Sequence, residues 1–227
     1  MRALHVHHDA NSRPGLVGEA LDSRGVASVS HQVCPTAGSP QGSPEFPDPA
    51  GFDLVVLFGS RWSVYEDRVA HWVEPELDFI RAADRAGVAV LGLCFGGQML
   101  STALGGTVAA TEHPEIGWME VVPSDPAIEP GPWLQWHFDA FTVPTGADEM
   151  ARTASGPQAF RLRRNLGLQF HPEADRAVLE EWLTDDIDQL VAAGLDAEVM
   201  LADADRYRDG ARVRADRIVA GVLDAAT

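Results

Sequence analysis

Cys94 is one of only two cysteines in the chain and lies in its most informative stretch, Gly92–Leu100 (GLCFGGQML). The stretch follows an apolar run typical of a buried strand and leads into an apolar, helix-prone segment. A Gly-x-Cys-x-Gly sequence in that context is the thiol version of a nucleophile elbow. The glycines permit a tight, strained turn. The N-terminus of the following helix favours a thiolate and a developing oxyanion. The pattern predicts a cysteine nucleophile; the alternative is a passive buried cysteine.

A thiolate nucleophile needs a base, and the base needs an orienting group. The tripeptide His-Pro-Glu occurs at His113-Pro114-Glu115 and again at His171-Pro172-Glu173. The second copy follows a short apolar run, residues 166–170, and reactive groups collect at the carboxyl ends of strands in open α/β sheets. His113 lies only 19 residues after the cysteine, and we expect it to enter a polar loop. We therefore predict His171 as the base and Glu173 as its orienting carboxylate, and we interpret the first copy as coincidental.

The elements that must position these residues follow an alternating pattern. The runs Asp53–Phe58 and Val88–Leu93 are almost wholly apolar, which is typical of strands in the middle of a covered parallel sheet. Helices are predicted near 14–23 and 73–86, the second with Pro75 in its first turn, and further strands at 2–7 and 26–33. Residues 35–51 are predicted to form a surface loop. This order predicts an open, mostly parallel, doubly wound α/β sheet flanked by helices.

The second half of the chain has a different pattern. Short alternating segments predict a smaller antiparallel portion; they lie near 107–110, 117–122, 149–153, 159–163 and 166–170. The tail from residue 175 onward is predicted to be helical, with breaks at Gly194 and Gly210. Because the chain has 227 residues, we expect a single domain over 1–227, with 175–227 as a helical C-terminal extension.

The amino-acid composition argues against two classes of binding partner. The net charge of −17 and the absence of a basic stripe argue against nucleic acid and against an anionic membrane surface. Sparse cysteine usage, with no apolar segment typical of a signal peptide or a membrane span, predicts a cytoplasmic protein. His5, His7 and His8 lack a further ligand at suitable spacing, so we expect a solvated or hydrogen-bonded cluster rather than a metal site. Cys34 is predicted to be passive.

Several segments together resemble the class I glutamine amidotransferases, and most closely the amidotransferase domain of GMP synthase and its free-standing relatives. They occur in the family's order and span about two-thirds of the chain. The resemblance implies the flavodoxin-like fold of that family. The matching segments are Phe58–Ser60 with Ser63–Tyr65, Gly92–Gln98, Glu115–Trp118, Trp136–Asp139 and Gly167–Glu173.

The resemblance also implies a reaction and a set of roles. In this family the cysteine, here Cys94, attacks the side-chain amide of glutamine. A γ-glutamyl thioester forms, ammonia leaves, and water releases glutamate; the substrate is a small molecule, and no metal or other cofactor is expected. His171 would act as general base and acid, and Glu173 would orient it. The resemblance assigns the oxyanion hole to the backbone N–H of Phe95 and of Gly59 or Ser60, and the amino-acid end of glutamine to Gln98 and the backbone at His137 and Phe138.

The sequence departs from the family where relatives carry Gly-Gly-Pro, because here it reads Gly59-Ser60-Arg61. Residue 60 keeps its backbone N–H, but its side chain restricts rotation of the peptide, and Arg61 adds a charge beside the site. We therefore still predict acyl transfer by Cys94, but the departure leaves two possible substrates: free glutamine and another γ-glutamyl amide.

Three functions follow as alternatives. The first is a glutaminase-type amidotransferase that supplies ammonia to a separate synthetase subunit, since no phosphate-binding glycine loop with a lysine is found and we expect no synthetase domain in this chain. The second is a stand-alone hydrolase or transferase of another γ-glutamyl amide, its pocket reshaped by Arg61 and the 35–51 loop. The third is a non-catalytic regulatory relative.

Overall fold

The structure is a computed structural model that describes residues 1–227. The chain forms ten strands and five main helices. The strands are β1 (Arg2–His7), β2 (Ala27–Gln32), β3 (Leu54–Leu57), β4 (Ala89–Leu93), β5 (Val108–Glu120), β6 (Val122–Pro123), β7 (Pro132–Phe141), β8 (Asp148–Thr153), β9 (Gly156–Leu162) and β10 (Asn165–Leu168). The helices are α1 (Gly15–Ser23), α2 (Ala70–Arg85), α3 (Phe95–Ala103), α4 (Arg176–Ala192) and α5 (Ala197–Ala226). None of them combines the length and the apolar character that crossing a bilayer requires.

Eight strands form one sheet in the order β2-β1-β3-β4-β10-β9-β8-β6. The first five of these run parallel to their neighbours, and the last three continue the sheet as antiparallel strands. A separate two-stranded antiparallel sheet is formed by β5 and β7. The predicted α/β fold, with a mostly parallel main sheet and a smaller antiparallel part, is confirmed.

The apolar runs found in the sequence become the centre of the main sheet. Every residue of β3, β4 and β10 is buried. Successive side chains of a strand point to opposite faces, so Leu54 and Val56 enter the core beneath α1 and α5, whereas Val55 and Leu57 enter the core beneath α2 and α3. Strands with helices on both faces must be apolar throughout.

Two helix predictions need correction. The helix α2 begins at Ala70, so Pro75 lies inside it and not in its first turn. The burial of Trp72, Leu77 and Ile80 against the sheet keeps the helix continuous there. The helix α5 runs without interruption through Gly210, because burial of its flanking apolar residues offsets the roughly 1 kcal/mol that glycine costs in a helix.

The loop predicted around His113 is also wrong. Residues Val108–Glu120 form one long strand, paired with β7, whose register shifts between Ala110 and Glu115. The irregular register and the exposed residues in this stretch disguise the strand as a polar loop in the sequence. Gly194, by contrast, has φ +71° and ends the fourth helix as predicted.

Candidate active site

Cys94 occupies a strained turn between β4 and α3. Its φ of 51° and ψ of −108° are unusual for a residue with a side chain. The surrounding glycines explain how the turn fits. A Cβ atom on Gly96 would lie 2.1 Å from the carbonyl oxygen of Leu57, and one on Gly97 would lie 2.3 Å from that of Leu168. The turn therefore needs glycine at both positions, as expected of a nucleophile elbow.

His171 follows the carboxyl end of β10, and its backbone N–H donates to the carbonyl of Leu134 at 2.9 Å. The ring Nδ1 lies 2.7 Å from Glu173 Oε1, and both side chains are almost completely buried. The ring nitrogen on the opposite side, Nε2, makes no hydrogen bond to another part of the chain, and the same ring interacts with the Cys94 side chain. The residue is thus held on one side by a carboxylate and is free on the other for the thiol.

Electrostatics favour a charged form of this ring. Burial lowers the pKa of His171, but the negative charges of Cys94 and Glu173, together with the hydrogen bond to Glu173, outweigh burial and raise the pKa from 6.5 to about 10. At neutral pH the imidazole is therefore held in its protonated form. A cation beside a cysteine favours the thiolate, which is the nucleophilic form of that side chain.

Two backbone segments next to Cys94 carry N–H groups that have no acceptor within the protein. Gly59 and Ser60 follow the carboxyl end of β3, and neither of their N–H groups is bonded within the protein. Phe95 is the first residue of α3, so its N–H has no intrahelical acceptor. A Cβ atom on Gly59 would lie 3.1 Å from His171 Cε1 and 4.0 Å from Cys94 Cβ. Unpaired N–H groups of this kind can donate to an oxyanion that forms on a carbonyl group attacked by a thiolate.

The three residues expected to hold the amino-acid end of the substrate line the same pocket, of about 160 Å³. Gln98 Nε2 donates to the carbonyl of Asp139 at 3.3 Å. The His137 ring is engaged, with Nε2 3.1 Å from Glu115 Oε2 and Nδ1 3.0 Å from the Asp139 carbonyl. Phe138 is 46% exposed at the rim. The side chain of His137 is thus part of the wall, which leaves backbone groups to face a ligand.

Sequence reasoning missed the contribution of the fourth helix to this pocket. Trp182 packs its ring edge-to-face on His171 at 4.7 Å, and Gln189 Oε1 accepts from Trp136 Nε1 at 2.9 Å. The helix departs from helical geometry at Asp186, and burial raises the pKa of that carboxyl although Arg61 opposes the shift. The run of acidic residues in the tail is the signal that could have pointed to this contact.

Arg61, noted in the sequence only as an added charge, ties three segments together. Its guanidinium pairs with Asp9, and it lies 3.5 Å from Asp185 Oδ2 and 3.6 Å from Asp186 Oδ1. The loop after β3, the loop after β1 and the fourth helix therefore meet at one arginine. Three members of this ion cluster, Asp9, Arg61 and Asp186, line the pocket.

The histidines near the N-terminus are buried rather than solvated. His5, His7 and His8 are each at most 5% exposed, and His7 stacks on Phe58 with ring centroids 4.7 Å apart. No group of three or more metal-ligating side chains is arranged to hold an ion. Cys34 is also buried, and burial, with the charges of Asp9 and Glu76, raises its pKa to about 11.

The sequence model of the glutamine amidotransferase class-I family matches residues 27–188, which is well over half of the chain. The chain belongs to the class I glutamine amidotransferase family. Membership supports an amidohydrolase. The family match ends inside the fourth helix, so most of the C-terminal helical region lies beyond it.

Curated relatives of this class I amidotransferase chain include GMP synthases. It is 36% identical to the glutamine-hydrolyzing GMP synthase of Mycobacterium leprae over 160 residues, which is 63% of this chain and 27% of that protein. It is 32% identical to that of Aeropyrum pernix over 183 residues, which is 74% of this chain and 33% of that protein. The chain thus spans about a quarter to a third of the length of these relatives.

Solved structures share the fold over almost the whole chain. A glutamine amidotransferase from Thermotoga maritima superposes with a TM-score of 0.88 at 23% identity, covering 99% of this chain and 98% of that one. A glutamine amidotransferase from Methylobacillus flagellatus gives a TM-score of 0.87 at 23% identity, with 99% and 94% covered. The architecture, including the C-terminal helices, is therefore shared with amidotransferase structures.

Proposed function

We propose that this protein hydrolyses the side-chain amide of glutamine through a γ-glutamyl thioester on Cys94, with His171 as general base and acid and Glu173 as its orienting carboxylate. The observation that carries the proposal is the buried His171–Glu173 pair at 2.7 Å, whose ring also interacts with the strained Cys94. An oriented imidazole beside an activated thiol is the common requirement of cysteine acyl-transfer enzymes.

The steps follow from the proton positions. The Cys94 thiolate attacks the amide carbon, and the carbonyl oxygen becomes an oxyanion bound by the N–H of Phe95 and of Gly59 or Ser60. Protonated His171 gives its proton to the departing nitrogen, so ammonia leaves and the thioester remains. His171, now neutral, takes a proton from water, which attacks the thioester. Glutamate leaves and the thiolate–imidazolium pair is restored.

The released ammonia is proposed to reach an acceptor on a separate synthetase. The support is that the match covers only 27% and 33% of two GMP synthases that are more than twice as long as this chain. Gln98 and the backbone at His137 and Phe138 are proposed to hold the amino-acid end of glutamine, since all three line the pocket. Residues 1–227 are proposed to act as one domain, because the fourth helix contributes to the pocket wall.

The proposal is tested by incubating the purified chain with glutamine and measuring glutamate. We expect turnover that is lost in Cys94→Ala and kept in Cys34→Ala, the matched control at the other cysteine. Equal glutamate release by Cys94→Ala and the unchanged chain would refute the assignment. Mass spectrometry of acid-quenched reactions should find the γ-glutamyl adduct on the peptide that contains Cys94.

A second candidate is a stand-alone hydrolase or transferase of another γ-glutamyl amide. The Arg61 ion cluster favours it, because it replaces the proline of the family pattern with a charged wall held by Asp9, Asp185 and Asp186. Comparing kcat/KM on glutamine and on γ-glutamyl amides with larger leaving groups distinguishes the two. A higher value for a larger amide supports this candidate.

The third alternative, a non-catalytic regulatory relative, has its own test. An electrophilic glutamine analogue that never labels Cys94 would favour it.

A further inference from the structure

His8 lies behind the catalytic pocket and does not line it. The ring is fully buried, with Nδ1 2.9 Å from the carbonyl oxygen of Phe58 and Nε2 2.7 Å from Oε1 of Glu76. A carbonyl oxygen only accepts, so Nδ1–H donates to Phe58. A proton is then shared between Nε2 and the Glu76 carboxylate, and the ring is held at both nitrogens.

Burying the His8–Glu76 pair costs free energy, and a role in packing alone does not explain why the pair is present. Glu76 is fully buried in the middle of the second helix, and its other oxygen, Oε2, has no hydrogen-bond partner. Apolar residues of similar size often stabilise a core as well as a buried ionic pair does. A role that hydrophobic side chains could not perform would explain its presence. Such a role is available at the Phe58 carbonyl oxygen, to which His8 donates.

The Phe58 carbonyl belongs to the same peptide unit as the N–H of Gly59. A trans peptide is planar, so its C=O and N–H point in opposite directions. Fixing the carbonyl on His8 therefore fixes the Gly59 N–H in the direction away from His8. Gly59 itself borders the site, since a Cβ atom there would lie 3.1 Å from His171 Cε1 and 4.0 Å from Cys94 Cβ. Fixing the carbonyl also fixes the point from which the next peptide, with the Ser60 N–H, departs. Neither N–H is bonded within the protein.

The same ring also contacts the other half of the proposed oxyanion hole. It packs edge-to-face on Phe95, with ring centroids 4.9 Å apart, and lies against Trp72 at 6.0 Å. Phe95 carries the backbone donor on the elbow side. One buried imidazole thus touches both segments whose N–H groups must converge on a single oxygen atom.

We propose that His8, held by Glu76, is a positioning residue that sets the direction of the oxyanion-loop donors at Gly59 and Ser60. The inference rests on the proposed hydrolysis of a γ-glutamyl amide. Donors aimed at a developing oxyanion stabilise the transition state rather than bound substrate, so their misplacement lowers kcat and leaves KM nearly unchanged.

Two amide substitutions that differ in reach by one methylene group separate positioning from packing. In His8→Asn the side-chain amide can occupy the place of Nδ1–H and still donate to Phe58. In His8→Gln the amide reaches the place of Nε2, so it meets Glu76 and leaves the Phe58 carbonyl without its donor. We expect kcat to fall about 10-fold to 10²-fold in His8→Gln, compared with the 10²–10³-fold typical of deleting one oxyanion donor. We expect His8→Asn to recover most of that loss, with KM within about 2-fold in both.

Thermal unfolding of both variants reports on packing. Equal loss of kcat in the two variants, in step with equal loss of Tm, would overturn the proposal, as would unchanged kcat in His8→Gln. A rise in KM in place of a fall in kcat would overturn it too. If the unchanged chain turns over no γ-glutamyl amide, the proposed function fails, and the loop geometry is judged by the spectroscopic measurement below.

That measurement uses the unchanged protein as well as the variants. In ¹³C,¹⁵N-labelled protein, the Phe58 carbonyl resonance should show a hydrogen-bonded position that is lost in His8→Gln and kept in His8→Asn. Glutamate γ-semialdehyde, which forms a tetrahedral adduct with a thiolate, should shift the amide resonance of Gly59 or Ser60 in the unchanged chain. A Phe58 carbonyl that is not hydrogen-bonded in the unchanged chain would overturn the proposal even if neither variant folds.

Discussion

The two His-Pro-Glu tripeptides are identical in sequence but lie in different structural surroundings. His171 follows a strand that is buried at every residue and lies between β4 and β9 in the middle of the main sheet. His113 lies exposed within β5, in the separate two-stranded sheet. The second copy meets the elbow because β10 pairs in parallel with β4, the strand that ends at Leu93, just before Cys94.

The glutamates of the two copies show how much the surroundings decide. Glu173 accepts from the imidazole of its own tripeptide. Glu115 instead faces another histidine, His137, and also accepts from Gln158 Nε2 at 3.1 Å. The first copy is therefore not an idle repeat. Its carboxylate holds a wall of the pocket while its own histidine points to solvent.

The largest expected difference between the copies is in the chemical step. We expect His171→Gln to lower kcat by about 10³-fold to 10⁴-fold, because general acid and base catalysis are both lost. His113→Gln makes the same change in the other copy of the tripeptide and should leave kcat within about 2-fold. Glutamate release measured under saturating glutamine checks both, and comparable losses in the two variants would contradict the assignment.

Substitution of the two glutamates, Glu173 and Glu115, should also affect kcat unequally, but the difference should be smaller than for the two histidines. Glu173→Gln keeps a hydrogen-bonding group but removes the charge that orients and stabilises the imidazolium, so we expect kcat to fall about 10²-fold. Glu115→Gln should change kcat far less and act on stability, because it weakens the contact with His137 by about 1 kcal/mol. Steady-state kinetics and denaturant unfolding of both variants test this, and a greater kinetic loss in Glu115→Gln would reverse the comparison.

The strand that precedes the second copy and the strand that contains the first should differ in their tolerance of substitution. A Cβ atom on Gly167 in β10 would lie 2.2 Å from the ring of the buried Phe160, so we expect Gly167→Ala to lower the free energy of unfolding by about 1–3 kcal/mol. Glu112→Ala, beside the exposed His113, should change it by less than about 0.5 kcal/mol. Urea denaturation measures both values, and an equal cost at the two sites would show that burial is not what separates the strands.

The subtlest difference concerns the pH dependence of stability. Burial lowers the pKa of His171, but Cys94 and Glu173 raise it overall to about 10, above its ordinary 6.5. A raised folded-state pKa contributes stability that is complete below pH 6.5 and is lost as the pH rises towards 10. The stability advantage of the unchanged chain over His171→Gln should therefore shrink between pH 7 and pH 10.

The matched variant at the other copy gives the control for this titration. His113→Gln should follow the pH profile of the unchanged chain. Cys94→Ala removes one of the two charges that raise the pKa of His171, so NMR titration should find a lower ring pKa in that variant. An unaltered value would mean that the thiolate does not act on this ring.

The sequence by itself determined the elements with a strong local cause. Strands buried on both faces are apolar throughout, so β3 and β4 could be predicted from their apolar runs. The nucleophile elbow could be predicted because its strained turn accepts only glycine at positions 96 and 97. The family and the mostly parallel sheet followed from the same segments. Helix boundaries that depend on burial, such as the start of the second helix at Ala70, could not be predicted from the sequence.

Only the tertiary structure decided which distant groups meet. Arg61 finds partners at Asp9 and Asp185, and His8 finds Glu76, across 52, 124 and 68 positions of sequence. Nothing in the local pattern around these residues specifies such partners, because hydrogen bonds and ion pairs act through distances that the whole fold sets. For the same reason, two identical tripeptides acquired different neighbours, and only one of them came to lie beside a thiol.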